Sequence, residues 1–363
     1  MGFLASRNVL PKYGFPVDLV PLDLGLSGDA DAARIELSRD LRLAVSDYAP
    51  GAEIVAAKGL WRSIGLASRA GRGWPTRRWA TCADCGAFRH TVGEELGACR
   101  VCGGTNSAPG RAGSFVMPVF GFVGERGASG VGDSRPVRMA LVESYFGEYQ
   151  AGDNSDLRPI DVTSGAVMCR FSRQGRIAVV NRGPAGRGFR VCETCGYAAP
   201  APAAGDAAGR ARKHKNPRRP GRECQGRLTF RHLGHEFLTD VVEIRFNDPR
   251  MANDHVGRSV LYAVLAGIPS LDIRREEMDG TLYKYDAGRG PAVVLFDTVP
   301  GGAGHAQRVG QNLPEVLAAG RKVAEHCECG EESSCYACLR TYSNQIWHEQ
   351  LVRRLAADVL GSC

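Results

Sequence analysis

No long apolar run occurs in this sequence. The longest aliphatic and aromatic stretches are about the length of Ala292–Phe296, far short of the ~20 residues that a membrane-spanning helix needs. No charged N-terminal region leading into an apolar core is visible, so no signal peptide is expected. Met1–Ser6 formally fits a myristoylation pattern, but it runs straight into what reads as folded chain, and a cytoplasmic location is the expectation. Three activity-bearing motifs are also missing. Without Gly-x4-Gly-Lys-Ser/Thr there is no phosphate-cradling loop for an ATPase motor of that class. Without Gly-x-Ser-x-Gly there is no nucleophile elbow, and without His-Glu-x2-His no zinc-hydrolase helix.

The sequence is rich in paired cysteine. Of thirteen cysteines in 363 residues, ten fall into Cys-x2-Cys or Cys-x-Cys pairs. Pairs at that spacing chelate one metal easily, whereas a disulfide across two residues is strained. The economical grouping is three sets of four, made from eleven cysteines and one histidine, each able to close a tetrahedral Zn²⁺ site. Cys82, Cys85, Cys99 and Cys102 form the first, a zinc ribbon in which a glycine after each pair can take the positive φ of a knuckle. Cys192 and Cys195 open the second, with His214 and Cys224 as third and fourth ligands. His232 and His235 are the other candidates for the histidine. Cys327, Cys329, Cys335 and Cys338, four thiols within twelve residues, form the third. A catalytic zinc keeps an open position. All three groups can supply four ligands, so the three zinc sites are expected to be structural and to fold small units that cannot bury enough apolar surface alone. Cys169 reads as a small buried hydrophobe and Cys363 as incidental.

The formal charge of +7 is unevenly placed. From Met168 to His235 the balance is +12, which leaves −5 for the rest of the chain. Within that segment the run Arg210–Arg222 supplies Arg212, Lys213, Lys215, Arg218, Arg219 and Arg222 as candidate contacts to nucleic-acid phosphates. Arg173, Arg176, Arg182, Arg187 and Arg190 lie just upstream. The run has no interleaved aromatics for base stacking, so a merely solvated loop is the competing reading. The Ala-, Pro- and Gly-rich insertion Ala198–Gly209 reads as a mobile loop.

Periodicity predicts a strand over Val17–Leu24, a helix from Asp31 carrying Ile35, Leu37, Leu41, Val45 and Tyr48, and strands at Ala52–Gly59 and Leu60–Leu66. Val116–Val123, Val137–Tyr145, Met168–Val180 and Thr239–Phe246 read as strand-rich. Ser259–Ala266 reads as a short helix, Leu271–Ile273 as extended, Ala292–Phe296 as a strand, and Leu339–Leu360 as a helix. Between the last two lies Asp297-Thr-Val-Pro-Gly-Gly-Ala-Gly304. A strand, an acidic residue and a Gly-rich turn before a helix is how phosphate sites are often built. No lysine follows and the dinucleotide spacing is incomplete, which favours a tight crossover packed against the C-terminal zinc unit.

Several of these stretches resemble one family. They are Phe3–Pro16, Leu37-Ser-Arg-Asp-Leu41, Tyr48-Ala-Pro-Gly51, Asp297–Gly304 and Cys335-Tyr-Ala-Cys-Leu-Arg-Thr-Tyr-Ser-Asn344. The family is the C-terminal region of bacterial DEAD/DEAH-box helicases carrying the MrfA-type zinc-binding (MZB) domain. A related domain occurs in DrmB of the DISARM phage-defence system. Cys327, Cys329, Cys335 and Cys338 fall on the family's four-cysteine cluster. The resemblance implies an accessory unit without a motor of its own, working beside a DEAD/DEAH-box helicase on DNA in phage defence or repair; the chain is expected to be that helicase's partner or a piece of it. It implies no catalytic residue. The expected architecture is α+β, mixed small domains stapled by three structural zinc sites. Its divisions are 1–75 (N-terminal α+β), 76–110 (zinc ribbon), 111–238 (strand-rich, with the second zinc site and basic loop) and 239–363 (C-terminal MZB-type unit). The competing readings are a metal-dependent nuclease using Asp297, Glu276 or His305, and a non-catalytic interaction scaffold.

Overall fold

A computed structural model describes residues 18–25, 32–69, 71–93, 95–127, 142–149, 156–159, 166–203 and 213–362. Phe3–Pro16, Arg212, Cys363 and the latter part of the Ala/Pro/Gly insertion lie outside these residues. The described part of that insertion includes a short strand, Ala198–Pro200, paired with Phe189–Val191.

One strand runs through the whole architecture. Leu228–Phe246 is nineteen residues long, roughly 60 Å at ~3.3 Å per residue. It pairs with Phe189–Cys192 at one end and with Ala292–Asp297 near the other. Val167–Asn181 follows it antiparallel along most of its length, with a bulge between Ser172 and Gly175. Ser107–Val116 joins it in parallel through Phe115 and Val116 and leads on to Thr76–Cys82 and Phe88–Thr91. The divisions expected after residues 110 and 238 therefore fall inside strands, and the units they separate share one sheet.

Strand alternation sends the apolar residues of this sheet into two cores. Val242, Ile244, Val293 and Leu295 face a helical layer. It consists of α2 (Asp254–Gly267), α3 (His305–Gln311), α4 (Leu313–His326) and α5 (Arg353–Leu360), numbered after a short α1 at Leu41–Asp47. Ile177, Val179, Val241, Val294 and Phe296 face the other way, onto a core shared with α1 and a five-stranded N-terminal sheet. The result is the expected α+β class, arranged as three layers around the long sheet. Among the described residues no helix is long and apolar enough to cross a membrane.

Three local expectations need correction. The helix anticipated from Asp31 starts only at Leu41, because Ser38–Asp40 pairs with Leu19–Pro21 and the Asp40 carboxylate caps the Arg42 N–H. Leu271 ends a 3₁₀ turn, and the strand begins later, at Met278–Tyr283. The helix anticipated over Leu339–Leu360 reduces to α5. Buried Asn344 donates to the Leu339 carbonyl at 2.9 Å and accepts from the Thr341 N–H at 2.7 Å, satisfying locally the groups a helix would have used.

Candidate metal centres

The three expected groups of four are brought together, each with its ligand atoms within 4.8 Å of one another. Four thiolates about 2.3 Å from one zinc stand ~3.8 Å apart. Cys82–Cys102 and Cys85–Cys99 are 3.5 and 3.7 Å apart. Cys192–Cys224 is 3.9 Å, and Cys195 Sγ lies 3.3 Å from His214 Nε2. Cys327–Cys335, Cys329–Cys338 and Cys335–Cys338 are 3.5, 3.8 and 3.9 Å apart. These are edges of a tetrahedron around a metal. The described cysteines are free thiols, and the clusters are suited to zinc.

Backbone geometry prepares each group. Gly86, Gly103 and Gly196 all have φ between 74° and 83°, as the knuckle turn requires. Burial works against ionisation of Cys82, yet the N–H groups of Cys85 and Asp84 bring it down to about 7. The Cys329 N–H does the same for Cys327, also to about 7. Burial is the largest influence on Cys85, Cys195 and Cys338 and pushes each up to about 12. The backbone alone cannot hold several thiolates together; a divalent cation supplies the missing positive charge.

Of the candidate histidines, His214 is the one beside the second cysteine set. Its ring stacks on Tyr197, and burial lowers its pKa toward the neutral form that binds metal. His232 instead accepts a hydrogen bond from Trp79 Nε1 at 2.9 Å, and His235 stacks on Phe237.

Two buried arginines that sequence reasoning missed close two of the clusters. Arg89 donates to the carbonyls of Gly97, Gly104, Thr105 and Asn106, around the Cys99–Cys102 turn. Arg353 donates to Cys329, Ala324 and Glu325, covering the open carbonyls at the end of α4, where a cation is favoured. Neither carries a local sequence signal, because each finds its partners only across a folded loop.

The Gly-rich crossover has a structural task. Asp297 is fully buried, and its carboxylate accepts from the N–H groups of Ala303, His305 and Ala306 at 2.5, 3.1 and 2.8 Å. The turn is anchored on the long strand, with Gly301 N–H donating to Leu238 and Gly304 N–H to Asp240, and Ala306 just after it belongs to the same core cluster as Cys338. Glu276 is exposed. Among the described residues no further group of three His, Cys, Asp or Glu side chains brings its ligand atoms together as the three cysteine groups do.

From Lys213 onward the basic run is more ordered than a loop. His214–Lys215 pairs with Glu223–Cys224, and a turn spans Asn216–Arg222. Lys213 lies 3.5 Å from Glu223 and Lys215 3.3 Å from Glu125, while Arg218, Arg219 and Arg222 are exposed. Upstream, Arg176 and Arg182 are held by Glu236 and Glu143 at 2.5 Å, so part of the +12 is already neutralised within the fold.

These geometries coincide with relationships to known proteins. Residues 260–339 match the family model of the MrfA Zn-binding domain, MZB. The chain is 26% identical to Druantia protein DruE of Escherichia coli (strain UMEA 4076-1) over 404 residues, covering 99% of this chain and 21% of that protein. It thus spans about a fifth of DruE's length. Among solved structures, the DUF1998 helicase MrfA bound to DNA aligns at a TM-score of 0.40 with 12% identity, over 95% of this chain and 34% of that one. The DUF1998 helicase MrfA aligns at 0.40 with 10% identity, over 88% and 32%. The C-terminal cysteine unit therefore lies inside the stretch that matches the MrfA Zn-binding domain, and the whole chain is similar to one part of a much longer protein.

Proposed function

We propose that this chain is a zinc-stapled accessory unit that supports the handling of DNA by a DEAD/DEAH-box helicase motor, carried on a separate chain or on the same polypeptide. The observation that carries the reading is the match of residues 260–339 to the MrfA Zn-binding domain, the interval that contains all four cysteines of the C-terminal cluster. The clusters themselves, each offering four ligands, fit structural zinc better than a catalytic ion that needs an open position. The twelve ligands are Cys82, Cys85, Cys99 and Cys102; Cys192, Cys195, His214 and Cys224; and Cys327, Cys329, Cys335 and Cys338. The sequence units 1–75, 76–110, 111–238 and 239–363 act as one body around the shared sheet. Phage defence, with DISARM-type systems included, and DNA repair are the proposed settings.

The test is to measure DNA affinity and strand separation by the motor with and without this unit. Both are expected to fall when the unit is absent. Unchanged values would sink the reading. Metal analysis is expected to return three zinc ions per chain.

A further inference from the structure

A cleft of about 480 Å³ opens beside the second cysteine cluster, where three distant parts of the chain meet. Its walls include Arg69, Arg72 and Trp74 from the turn after the N-terminal sheet, Glu193 and Thr194 from the Cys192–Cys195 knuckle, and Arg218 and Arg231. The meeting is tight. Leu66 N–H donates to the Gly196 carbonyl at 2.7 Å, and a Cβ on Gly65 would lie 2.5 Å from that oxygen and 3.1 Å from Pro217. The knuckle thus holds the Asn216–Arg222 turn against the N-terminal sheet.

The charge is one-sided. Four arginines face one carboxylate, and Glu193 is already engaged by Arg231 at 2.8 Å. Among the described residues no carboxylate lies within ion-pair distance of Arg69, Arg72 or Arg218; Arg218 reaches only the Ser68 carbonyl, at 3.4 Å. A larger cavity of about 570 Å³ elsewhere has no such excess. There Arg42, Arg111, Arg258 and Lys284 are matched in number by Asp47, Glu143, Asp254 and Asp279. Trp74 supplies the aromatic surface missing from the 210–222 run. It is half-buried, and its Nε1–H donates to the Ala67 carbonyl at 2.8 Å, which sets the ring's orientation.

We propose that this cleft binds single-stranded nucleic acid, with phosphodiester groups on Arg69, Arg72 and Arg218 and an unpaired base against Trp74. The proposal rests on the reading that the unit works on nucleic acid. Its volume lies in the range of pockets for small ligands, roughly 300–1,000 Å³, which has room for a nucleotide and none for a duplex. Stacking on an aromatic ring requires a base that is not paired.

The test uses the zinc-loaded chain and fluorescence anisotropy with labelled oligo-dT and oligo-rU of about 15 nucleotides, alongside a duplex of the same length, across a salt series. Trp74→Leu is expected to weaken single-strand binding at least fivefold while Trp74→Phe retains it, with duplex binding unchanged in both. Arg69→Ala with Arg72→Ala, both exposed, is expected to lower the slope of log affinity against log salt by about 1.4, which is ~0.7 per contact. The dT and rU arms separate DNA from RNA as the source of the strand. If these variants bind like wild type while Arg219→Ala with Arg222→Ala does not, the cleft assignment falls and a nucleic-acid role for the basic turn stands. If wild type shows no salt-dependent binding to any of the three probes, both fall.

Discussion

Cys338 and Leu339 pack into the larger core with Leu351 and Val359. Cys192, Cys195 and Cys224 instead form a small cluster of their own, supported by Tyr197 and Leu228. The donor distances are nearly the same in both places, but the clusters pack into different apolar groups, one part of a large core and one a small group of its own. The C-terminal cluster joins the end of α4 to the start of α5 inside the module that α2, α4 and the sheet build together. The Cys₃His cluster stands at the far end of the long strand and presents a two-stranded hairpin to solvent. Metal ligation thus does two jobs in one chain: at one end it completes a core, and at the other it holds a surface in register.

That contrast can be broken most forcefully at Cys338. Cys338→Ser should reduce zinc from three ions per chain to two and remove the cooperative unfolding of the C-terminal module, a loss of more than about 5 kcal/mol. Thermal melting with metal analysis reads both. Arg353→Met tests the same junction without touching a ligand. It leaves the carbonyls of Ala324, Glu325 and Cys329 without their donor and should cost about 3 kcal/mol in urea unfolding with zinc content unchanged.

The strand linking the two ends carries its own pH dependence. Burial, followed by the charge of Arg42, pushes His235 down to about 4, so in the unfolded chain this residue takes up a proton near pH 6.5 that the folded state refuses. Its contribution is therefore fully present above pH 6.5 and is lost as pH falls toward 4, by about 3 kcal/mol at most. His235→Gln should flatten the acid limb relative to wild type. Acid release of zinc is common to both proteins and drops out of the comparison. The smallest effect on global stability is expected at the Cys₃His end, whose ligands are buried but lie outside the two large cores. Cys224→Ser should also leave two zinc ions, but shift the main transition by less than about 1 kcal/mol, because this small cluster lies outside the two large cores and can be lost without unfolding them. A collapse as large as that of Cys338→Ser would erase the distinction between the two clusters.

Much of this protein was legible in the chain itself. Metal ligation needs fixed donors at short spacing, so Cys-x2-Cys pairs announce themselves, and His214 emerged from the same arithmetic although 18 residues separate it from Cys195. Buried strands such as Ala292–Asp297 and Val167–Asn181 are legible for a similar reason, since their apolar residues are contiguous. The role of Asp297 was only half legible: a Gly-rich turn after a strand permits either a phosphate site or a tight crossover. The three N–H groups converging on its carboxylate decide for the crossover.

The remainder depended on contacts between distant residues. A count of arginines says how much positive charge a segment carries, but not where carboxylates such as Glu143 and Glu236 will meet it. Local apolar spacing over Leu339–Leu360 cannot reveal that Asn344 will satisfy its neighbours and delay the helix. The cleft needs Arg69, Arg72 and Trp74 to stand beside Arg218 and Arg231, some 150 residues away. The three metal sites and the α+β class were determined by the sequence alone, because ligand spacing and apolar runs are local properties. Which charges stay free, which arginines close the clusters and where an aromatic ring meets the basic turn were decided only by the tertiary structure, because each depends on strands and knuckles packing against one another.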